Sequence, residues 1–200
     1  MRRISRRLAR EWTKIKVARA DANVLIKQMG SSTNSLALEA VTMLQEKLAF
    51  QDGSLHDADL QGANLAGAPL ASADLTGVDF TGANLQRVYF GSTKLHHANL
   101  SQSNLHHANL RDAHLDAATL IEADMSYAHM ADTHLNAANC TGAILHQANL
   151  WGADLSGANL TDADLSGANL TNTVFDENTI LPDGTHWSPD SDLNQYTQTG

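Results

Sequence analysis

Residues 153–170 read ADLSGANLTDADLSGANL, and the same five-residue pattern runs without a break through most of the chain. From Leu55 to Phe175 every fifth residue is large and apolar, which makes 25 positions, 19 of them Leu. Two residues before each lies a small residue, Ala in 18 cases, and the residue between them is Asp or Asn in 15. The unit is A-(D/N)-L-x-x, and a repeat of this kind decides the architecture.

A period of five residues fits neither an α-helix nor a straight β-strand. On a helix, residues spaced five apart would lie on all sides of the surface. On a strand, such residues would alternate between the two faces. The chain must therefore turn once in each repeat. The small residue and the Leu are two apart, so both point to one side of an extended segment, and the last two positions form a corner. Gly occupies the second corner position eight times, as a turn with positive φ favours. The pattern predicts a solenoid with a dry Leu and Ala interior.

The central apolar positions supply the expected core. We expect the interior to include Leu60, Leu65, Leu75, Phe80, Leu85, Phe90, Leu100, Leu120, Met125, Met130, Cys140, Leu160 and Phe175. Cys140 is the single cysteine, so it forms no internal disulfide, and its core position predicts a buried and inert thiol. Such cysteine usage is typical of a reducing compartment, and we expect a cytoplasmic protein.

These repeats resemble the pentapeptide-repeat family, whose consensus is A(D/N)LXX. The resemblance covers about residues 53–177, with 25 consecutive units in frame. It implies a right-handed quadrilateral β-helix, an all-β solenoid with four repeats per coil and about six coils. From the residues alone the number of sides stays open, because the echo HHANL at 96–100 and 106–110 has a spacing of ten.

The ends of the chain depart from the repeat and define the remaining segments. We expect a basic amphipathic helix and flexible joint over 1–34, and a capping helix over 35–52, where apolar residues follow a helical stripe. The β-helix then occupies 53–177. Residues 178–200 leave the repeat frame and predict a C-terminal cap followed by a polar tail.

Charge is unevenly distributed along the chain. Residues 1–52 carry a net charge of +5, whereas residues 53–177 carry −11. In the implied 20-residue register the units fall on four sides, which we number in chain order. Side 1 begins with the unit centred on Leu55, and sides 2, 3 and 4 begin with those centred on Leu60, Leu65 and Leu70. Ten of the fourteen acidic residues in 53–177 fall on sides 1 and 2.

The candidate acidic face consists of Asp57, Asp74, Asp116 and Asp154 on side 1 and Asp59, Asp79 and Glu122 on side 2. One interpretation is ordinary solubility, and the other is a docking face for a protein with a basic surface. The resemblance adds an alternative, because the family includes fluoroquinolone-resistance proteins whose acidic rods mimic DNA and inhibit DNA gyrase. The chain departs from those proteins in its basic N-terminal segment, and it shows neither an amphipathic C-terminal helix nor loops between coils.

The N-terminal segment contains an Arg-rich stretch, with Arg2, Arg3, Arg6, Arg7 and Arg10 as the candidate basic helix. It admits three interpretations: a solvated helix packed on the rod, a helix lying on an anionic membrane surface, or a nucleic-acid contact. Peripheral membrane contact through this helix stays open. Nucleic-acid binding is not expected, because the stretch lacks interleaved aromatic residues.

Nine of the ten histidines lie in the repeats. In the 20-residue register, one outward column contains Lys94, His114, His134 and Asp154, and His96 and Asp116 lie beside it. A zinc site from His114, His134 and a neighbouring carboxylate is one interpretation. A solvated polar ladder is the other, and we expect no metal and no cofactor. The sequence contains no nucleophile elbow, P-loop, dinucleotide fingerprint or paired-cysteine motif. We therefore expect a non-enzymatic scaffold that binds another protein.

Overall fold

The computed structural model describes residues 22–46 and 50–198. The repeats form a right-handed quadrilateral β-helix with 20 residues in each coil. Its strands are single-residue parallel bridges, one per side, that join residues 20 apart from Asp59 and Asp79 through to Asp154 and Val174. The Leu60 N–H donates to the Asp79 carbonyl at 2.8 Å, and this bonding recurs from coil to coil. The register settles the number of sides that the periodicity left open.

The interior is the predicted stack of Leu and Ala side chains. The expected core residues, from Leu60 through Leu160, are at most 1% exposed. Inside the stack the rings of Phe80 and Phe90 have centroids 5.9 Å apart. Phe175 is the exception, because it is only partly buried. It lies in the last coil, where no further Leu side chain among the described residues covers it. The Trp187 ring stacks on it instead, with ring centroids 6.1 Å apart.

Every corner between Asp57 and Asn172 turns through a second residue with positive φ. Gly fills eight of these positions, but side chains fill the others, as at Arg87 (φ 53°) and Ala137 (φ 55°). Residues other than Gly are sterically strained in this left-handed region. Hydrogen bonds to the neighbouring coils hold these corners in the strained conformation.

Two helices close the N-terminal end of the rod. Helix α1 spans Ala22–Met29 and helix α2 spans Asn34–Glu46. Their apolar residues join the solenoid core: Leu25, Met29, Ala37, Ala40, Val41, Met43 and Leu44 are all at most 6% exposed. None of the helices in the described part of the chain is long and apolar enough to cross a membrane.

The N-terminal segment also supplies backbone partners that a preceding coil would otherwise provide. The Ser31 carbonyl accepts the Asn64 N–H at 2.9 Å, and the Phe50 carbonyl accepts the Asp74 N–H at 2.6 Å. Pro69 occupies the bridge position between them, where its missing N–H leaves no donor unpaired. The first coil is thereby protected from open-edge pairing.

The described N-terminal elements can be compared with the expected segments. Helix α1 lies inside 1–34, where a helix and a joint were expected, and it packs on the core. The expected flexible joint is also tied down, since Asn34 Nδ2 donates to the Asn64 and Ala66 carbonyls at 3.1 Å. The capping helix ends at Glu46, and Phe50 lies in a turn. The candidate basic helix with Arg2, Arg3, Arg6, Arg7 and Arg10 lies outside the described residues and stays a prediction.

The C-terminal end of the β-helix extends beyond residue 177. Ile180 pairs with Asn159, 21 residues away, so one extra residue enters the last coil. Thr179 and Leu181 then take the small and large core positions, at 0% and 1% exposure. The predicted boundary missed this unit because the insertion shifts the five-residue frame by one. Ile180 also forms an antiparallel bridge with His186, which makes a closing hairpin.

The polar tail folds back over the last coil. Helix α3 spans Asn194–Thr197, and the Thr197 carbonyl accepts the Gly167 N–H at 2.8 Å. Tyr196 packs against the edge of the hydrophobic core. The tail therefore covers backbone and apolar groups that the absence of a further coil would leave open to solvent.

Candidate functional site

The recurrent Asp and Asn residues bond to their own corners. Asp79 Oδ1 accepts the Thr81 N–H at 2.9 Å and the Thr81 hydroxyl at 2.6 Å. Asn159 makes the same pair of bonds to Thr161, at 3.0 and 2.6 Å. Such Asx turns compete well for local backbone groups and stabilise the corner. The abundance of Asp and Asn is thus explained by the fold and does not itself indicate a reactive site.

The residues of the candidate acidic face lie on sides 1 and 2, as the register requires: Asp57, Asp74, Asp116 and Asp154 on the first, and Asp59, Asp79 and Glu122 on the second. Two of the side 1 carboxylates already have basic neighbours. Asp74 lies 2.8 Å from His56 Nε2 and 3.1 Å from Lys94 Nζ. Asp116 lies 3.1 Å from His96 Nδ1. Side 1 is therefore not a continuous row of free negative charge.

Hydrogen bonding dominates the electrostatics of Asp74. Burial raises its pKa, but the hydrogen bonds from Thr76, Lys94 and His56 together outweigh that effect and lower the pKa to about 2. Its side chain is only 13% exposed. Asp74 is thus a charged structural anchor at neutral pH, which makes it a poor mimic of an accessible phosphate.

A second polar surface lies on the corner between sides 3 and 4. It consists of Arg87, Tyr89, His106, His107, Tyr127, His129 and His146, which we call the aromatic edge. The ring centroid of Tyr127 lies 5.4 Å from that of His106, 5.1 Å from His107 and 5.5 Å from His146. A shallow groove beside them is lined by Arg87, Tyr89, His107, Asn109 and His129.

The aromatic edge is open to a partner. Tyr89 is 55% exposed and Tyr127 39%. Partial burial, together with electrostatic repulsion from the neighbouring His106, Arg87 and His129 side chains, lowers the pKa of His107. Exposed tyrosines beside an arginine are the residue types that carry most of the binding energy in protein interfaces.

Sequence reasoning missed the aromatic edge, although it noted the pair His106 and His107. The members are separated along the chain and become neighbours only through stacking. Arg87, His107 and Tyr127 are 20 residues apart in one corner column. The 20-residue register implied by the sequence already contains this column, but it does not show the side-chain directions that bring the Tyr127 ring against His106 and His146.

The predicted histidine column also exists. His114 bridges to Lys94 and His134, and the His114 and His134 rings stack with centroids 4.6 Å apart. One ring nitrogen each of His96 and His114 and one carboxylate oxygen of Asp116 lie within 4.8 Å of one another. This group contains His96, whereas the zinc interpretation of the sequence named His134 beside His114.

Cys140 occupies a central core position and is 1% exposed. Burial raises the pKa of its thiol to about 12. A protonated thiol without solvent access is a poor nucleophile and a poor metal ligand. The only cysteine of the chain therefore serves packing.

Comparison with known proteins places these features in context. The family model for pentapeptide repeats matches in eight copies, over residues 54–91, 83–120, 93–136, 113–152 and 138–176. A similar solved structure is HetL, a pentapeptide repeat protein involved in heterocyst differentiation regulation in the cyanobacterium Nostoc sp. strain PCC 7120. It is 32% identical, the match covers 66% of this chain and 73% of HetL, and the TM-score is 0.31.

Two further solved structures are similar. A pentapeptide repeat protein from the Arabidopsis thaliana thylakoid lumen is 34% identical over 50% of this chain and 69% of its own, with a TM-score of 0.29. The plasmid-mediated fluoroquinolone resistance protein QnrB1 is 21% identical over 70% of this chain and 80% of its own, with a TM-score of 0.35. No curated protein sequence gives a significant match. Because the family model covers more than half of the residues, in the frame that the coils follow, the chain belongs to the pentapeptide-repeat family.

Proposed function

We propose that the chain is a non-enzymatic scaffold that binds another protein through the aromatic edge. The observation that carries this proposal is the exposure of two tyrosines on a rigid rod: Tyr89, which lines a groove together with Arg87 and His107, and Tyr127, which packs on His107. Backbone hydrogen bonds join each corner to the coils before and after it. The backbone of the aromatic edge is therefore already ordered, and it loses little conformational entropy when a partner binds. The surface thus combines large contact groups with a fixed shape.

The chemistry of the edge favours a partner that presents a carboxylate next to apolar groups. Its seven members include one arginine and four histidines but no acidic residue. The guanidinium of Arg87 can pair with a carboxylate in bidentate geometry, and the tyrosine rings offer apolar faces. Charge complementarity of this type supports specificity as well as association rate.

A partner with a basic surface, which the overall charge suggests, would instead use the acidic sides. That interpretation and its extension to a DNA mimic are supported by the net charge of −11 in residues 53–177. They are weakened by the bonds of Asp74 to Lys94 and His56 and of Asp116 to His96. A DNA mimic needs accessible carboxylates that replace phosphates, and these two are already engaged.

Two matched variants separate these functions. The edge variant changes Arg87, Tyr89 and Tyr127 to Ser, and the acid variant changes Asp57, Asp74, Asp116 and Asp154 to Asn. Partners captured by the intact chain from extracts of its source cells are purified, and their affinity for each variant is measured by calorimetry. We expect the edge variant to lose binding by at least about tenfold and the acid variant to retain it.

The opposite pattern, with loss only in the acid variant, would contradict the proposal. For the DNA-mimic alternative, the intact chain is added to DNA gyrase in a supercoiling assay, and we expect no inhibition. Inhibition that disappears in the acid variant would establish the mimic instead. The contribution of the Arg-rich segment, including peripheral membrane contact, is tested by removing residues 1–21, because truncation at residue 34 would also remove α1 and open the core.

A further inference from the structure

A third cluster of polar side chains lies on side 1, on the opposite side of the rod from side 3. His96, His114 and Asp116 each offer one ligand atom, and these three atoms lie within 4.8 Å of one another. All three residues are half-buried. Two imidazoles and one carboxylate are a ligand set that zinc uses where three protein ligands leave one position open. We propose that these three side chains form a surface site for a zinc ion.

The cluster follows directly from the register of the coils. His114 and Asp116 flank the buried Leu115, so both side chains point outward from one unit. His96 occupies the same corner position as Asp116 one coil earlier, and the His97 N–H donates to the Asp116 carbonyl at 3.1 Å. The two corners are therefore stacked, and His96 Nδ1 comes within 3.1 Å of Asp116 Oδ2.

The same triangle of positions recurs along this edge in every coil. The other triangles are His56, Asp74 and Thr76; Thr76, Lys94 and His96; Asp116, His134 and Asn136; Asn136, Asp154 and Ser156; and Ser156, Val174 and Asp176. Each of these contains at least one residue that is not a usual zinc ligand. Within the coils that the structure describes, only the triangle at His96, His114 and Asp116 consists entirely of histidine and carboxylate.

Two ladder neighbours flank the cluster, and neither side chain occupies the space between its three ligand atoms. Lys94 is the ladder partner of His114, but its ammonium group is turned toward Asp74, 3.1 Å away. The other ladder partner, His134, stacks on the His114 ring at 4.6 Å with an interplanar angle of 15°. This stacking holds the plane of the His114 ring. His134 therefore orients a zinc ligand without being a ligand itself. The outward side of the cluster leaves room for a solvent molecule or a partner side chain as the fourth ligand.

The test is calorimetric titration of Zn²⁺ into the tag-free full-length chain. Single variants His96→Gln, His114→Gln and Asp116→Asn each remove one ligand, and circular dichroism and the melting temperature check their folds. We expect one zinc ion per chain, affinity weakened by at least about tenfold in each variant, and a rise in melting temperature on zinc addition that the variants lose.

Two histidine variants serve as controls. His107→Gln removes a histidine from the aromatic edge, and we expect its zinc affinity to match that of the unmodified chain. His134→Gln removes the stacking partner and should weaken binding less than His114→Gln. Absence of zinc binding, equal affinity in the three ligand variants and the unmodified chain, or a larger loss in His107→Gln than in His96→Gln would each overturn the proposal.

Discussion

The interior and the outer surface of the same coils follow different rules. Along the interior of side 1, Leu recurs from Leu55 to Leu155 and every one of these residues is at most 1% exposed. The outward column beside it reads Asp74, Lys94, His114, His134 and Asp154. Two of the five positions in each repeat therefore encode the packing. The other three vary more, within the limits set by the Asp and Asn bonds to the corner and by the positive φ of the corner residue. Any binding chemistry of this rod must lie in its outward columns.

The largest expected effect contrasts adjacent residues of one unit. Leu120→Asp places an unpaired carboxylate among Leu and Ala side chains, so we expect a loss of about 3 to 5 kcal/mol in the free energy of unfolding. Thr119→Asp, which points outward into a column that bears Asp59 and Asp79, should change it by no more than about 0.5 kcal/mol. Urea denaturation measures both. Similar losses in the two variants would show that the assignment of inward and outward positions is wrong.

A smaller effect distinguishes two polar residues inside the rod. The Thr133 hydroxyl donates to the Leu110 carbonyl at 2.8 Å, so Thr133→Ala should lower the free energy of unfolding by about 1 to 2 kcal/mol. Ser103 is equally buried, but its hydroxyl has no hydrogen-bond partner among the described residues. Ser103→Ala should therefore be neutral or stabilising by up to about 1 kcal/mol. A greater loss in Ser103→Ala than in Thr133→Ala would contradict this difference.

The corners join the inward and outward positions of each repeat. Exchanges between Gly and Ala test the strain of their backbone with little change in side-chain contacts. Gly62 has a φ of +62°, and a Cβ at this position would meet no atom within 4 Å. Gly62→Ala should thus cost only the strain of the left-handed conformation, about 1 kcal/mol. In the converse variant Ala137→Gly, relief of strain offsets the greater chain entropy of Gly, and we expect a change within about 0.5 kcal/mol. Thermal unfolding of both variants checks the two values.

The same contrast explains how far the sequence predicts the molecule. The interior was predictable because a buried Leu in every fifth position is a strong local signal. The outer surface was predictable only in part. The column through His114 and His134, with His96 and Asp116 beside it, followed once four sides were assumed, whereas the close grouping of His96 with His114 and Asp116 did not. That triangle depends on side-chain directions at a corner, which spacing along the chain does not specify.

The ends were harder to predict for a different physical reason. The structure of a cap depends on the groups that a terminal coil leaves open, such as the Asn64 N–H of the first coil, which bonds to Ser31. No periodic pattern marks such single contacts. The extra residue before Thr179 shows the same limit. The coil accommodates it because Thr179 Oγ1 still reaches the Leu155 carbonyl at 3.0 Å, as other core threonines reach theirs.

The smallest expected effect concerns the charge of the outer surface and is measured through pH. The pKa of Asp74 falls from its ordinary 3.8 to about 2 in the folded chain. The unfolded chain therefore takes up the proton first as the pH falls. The contribution of this carboxylate to stability is complete above about pH 4, and it is lost as the pH falls toward 2. Asp74→Asn should remove this part of the acid sensitivity. We expect a loss of less than about 1 kcal/mol at pH 7, because Asn keeps an acceptor oxygen for the Thr76 bonds and the pairs with the exposed His56 and Lys94 are weak.

Urea midpoints at pH 7, 4, 3 and 2.5 provide the measurement, and Lys94→Met provides the matched control. In Lys94→Met the carboxylate keeps its bonds to Thr76 and His56, so the dependence of stability on pH between 4 and 2 should lie between those of the unmodified chain and Asp74→Asn. Other carboxylates, such as Asp154, whose pKa is also lowered because hydrogen bonds outweigh burial, keep the remaining acid sensitivity in all three proteins. Identical curves for the three would mean that the outward column is electrostatically inert. A graded series would mean that even the variable surface of the rod contributes to its stability, in steps small enough to leave its residues free for binding.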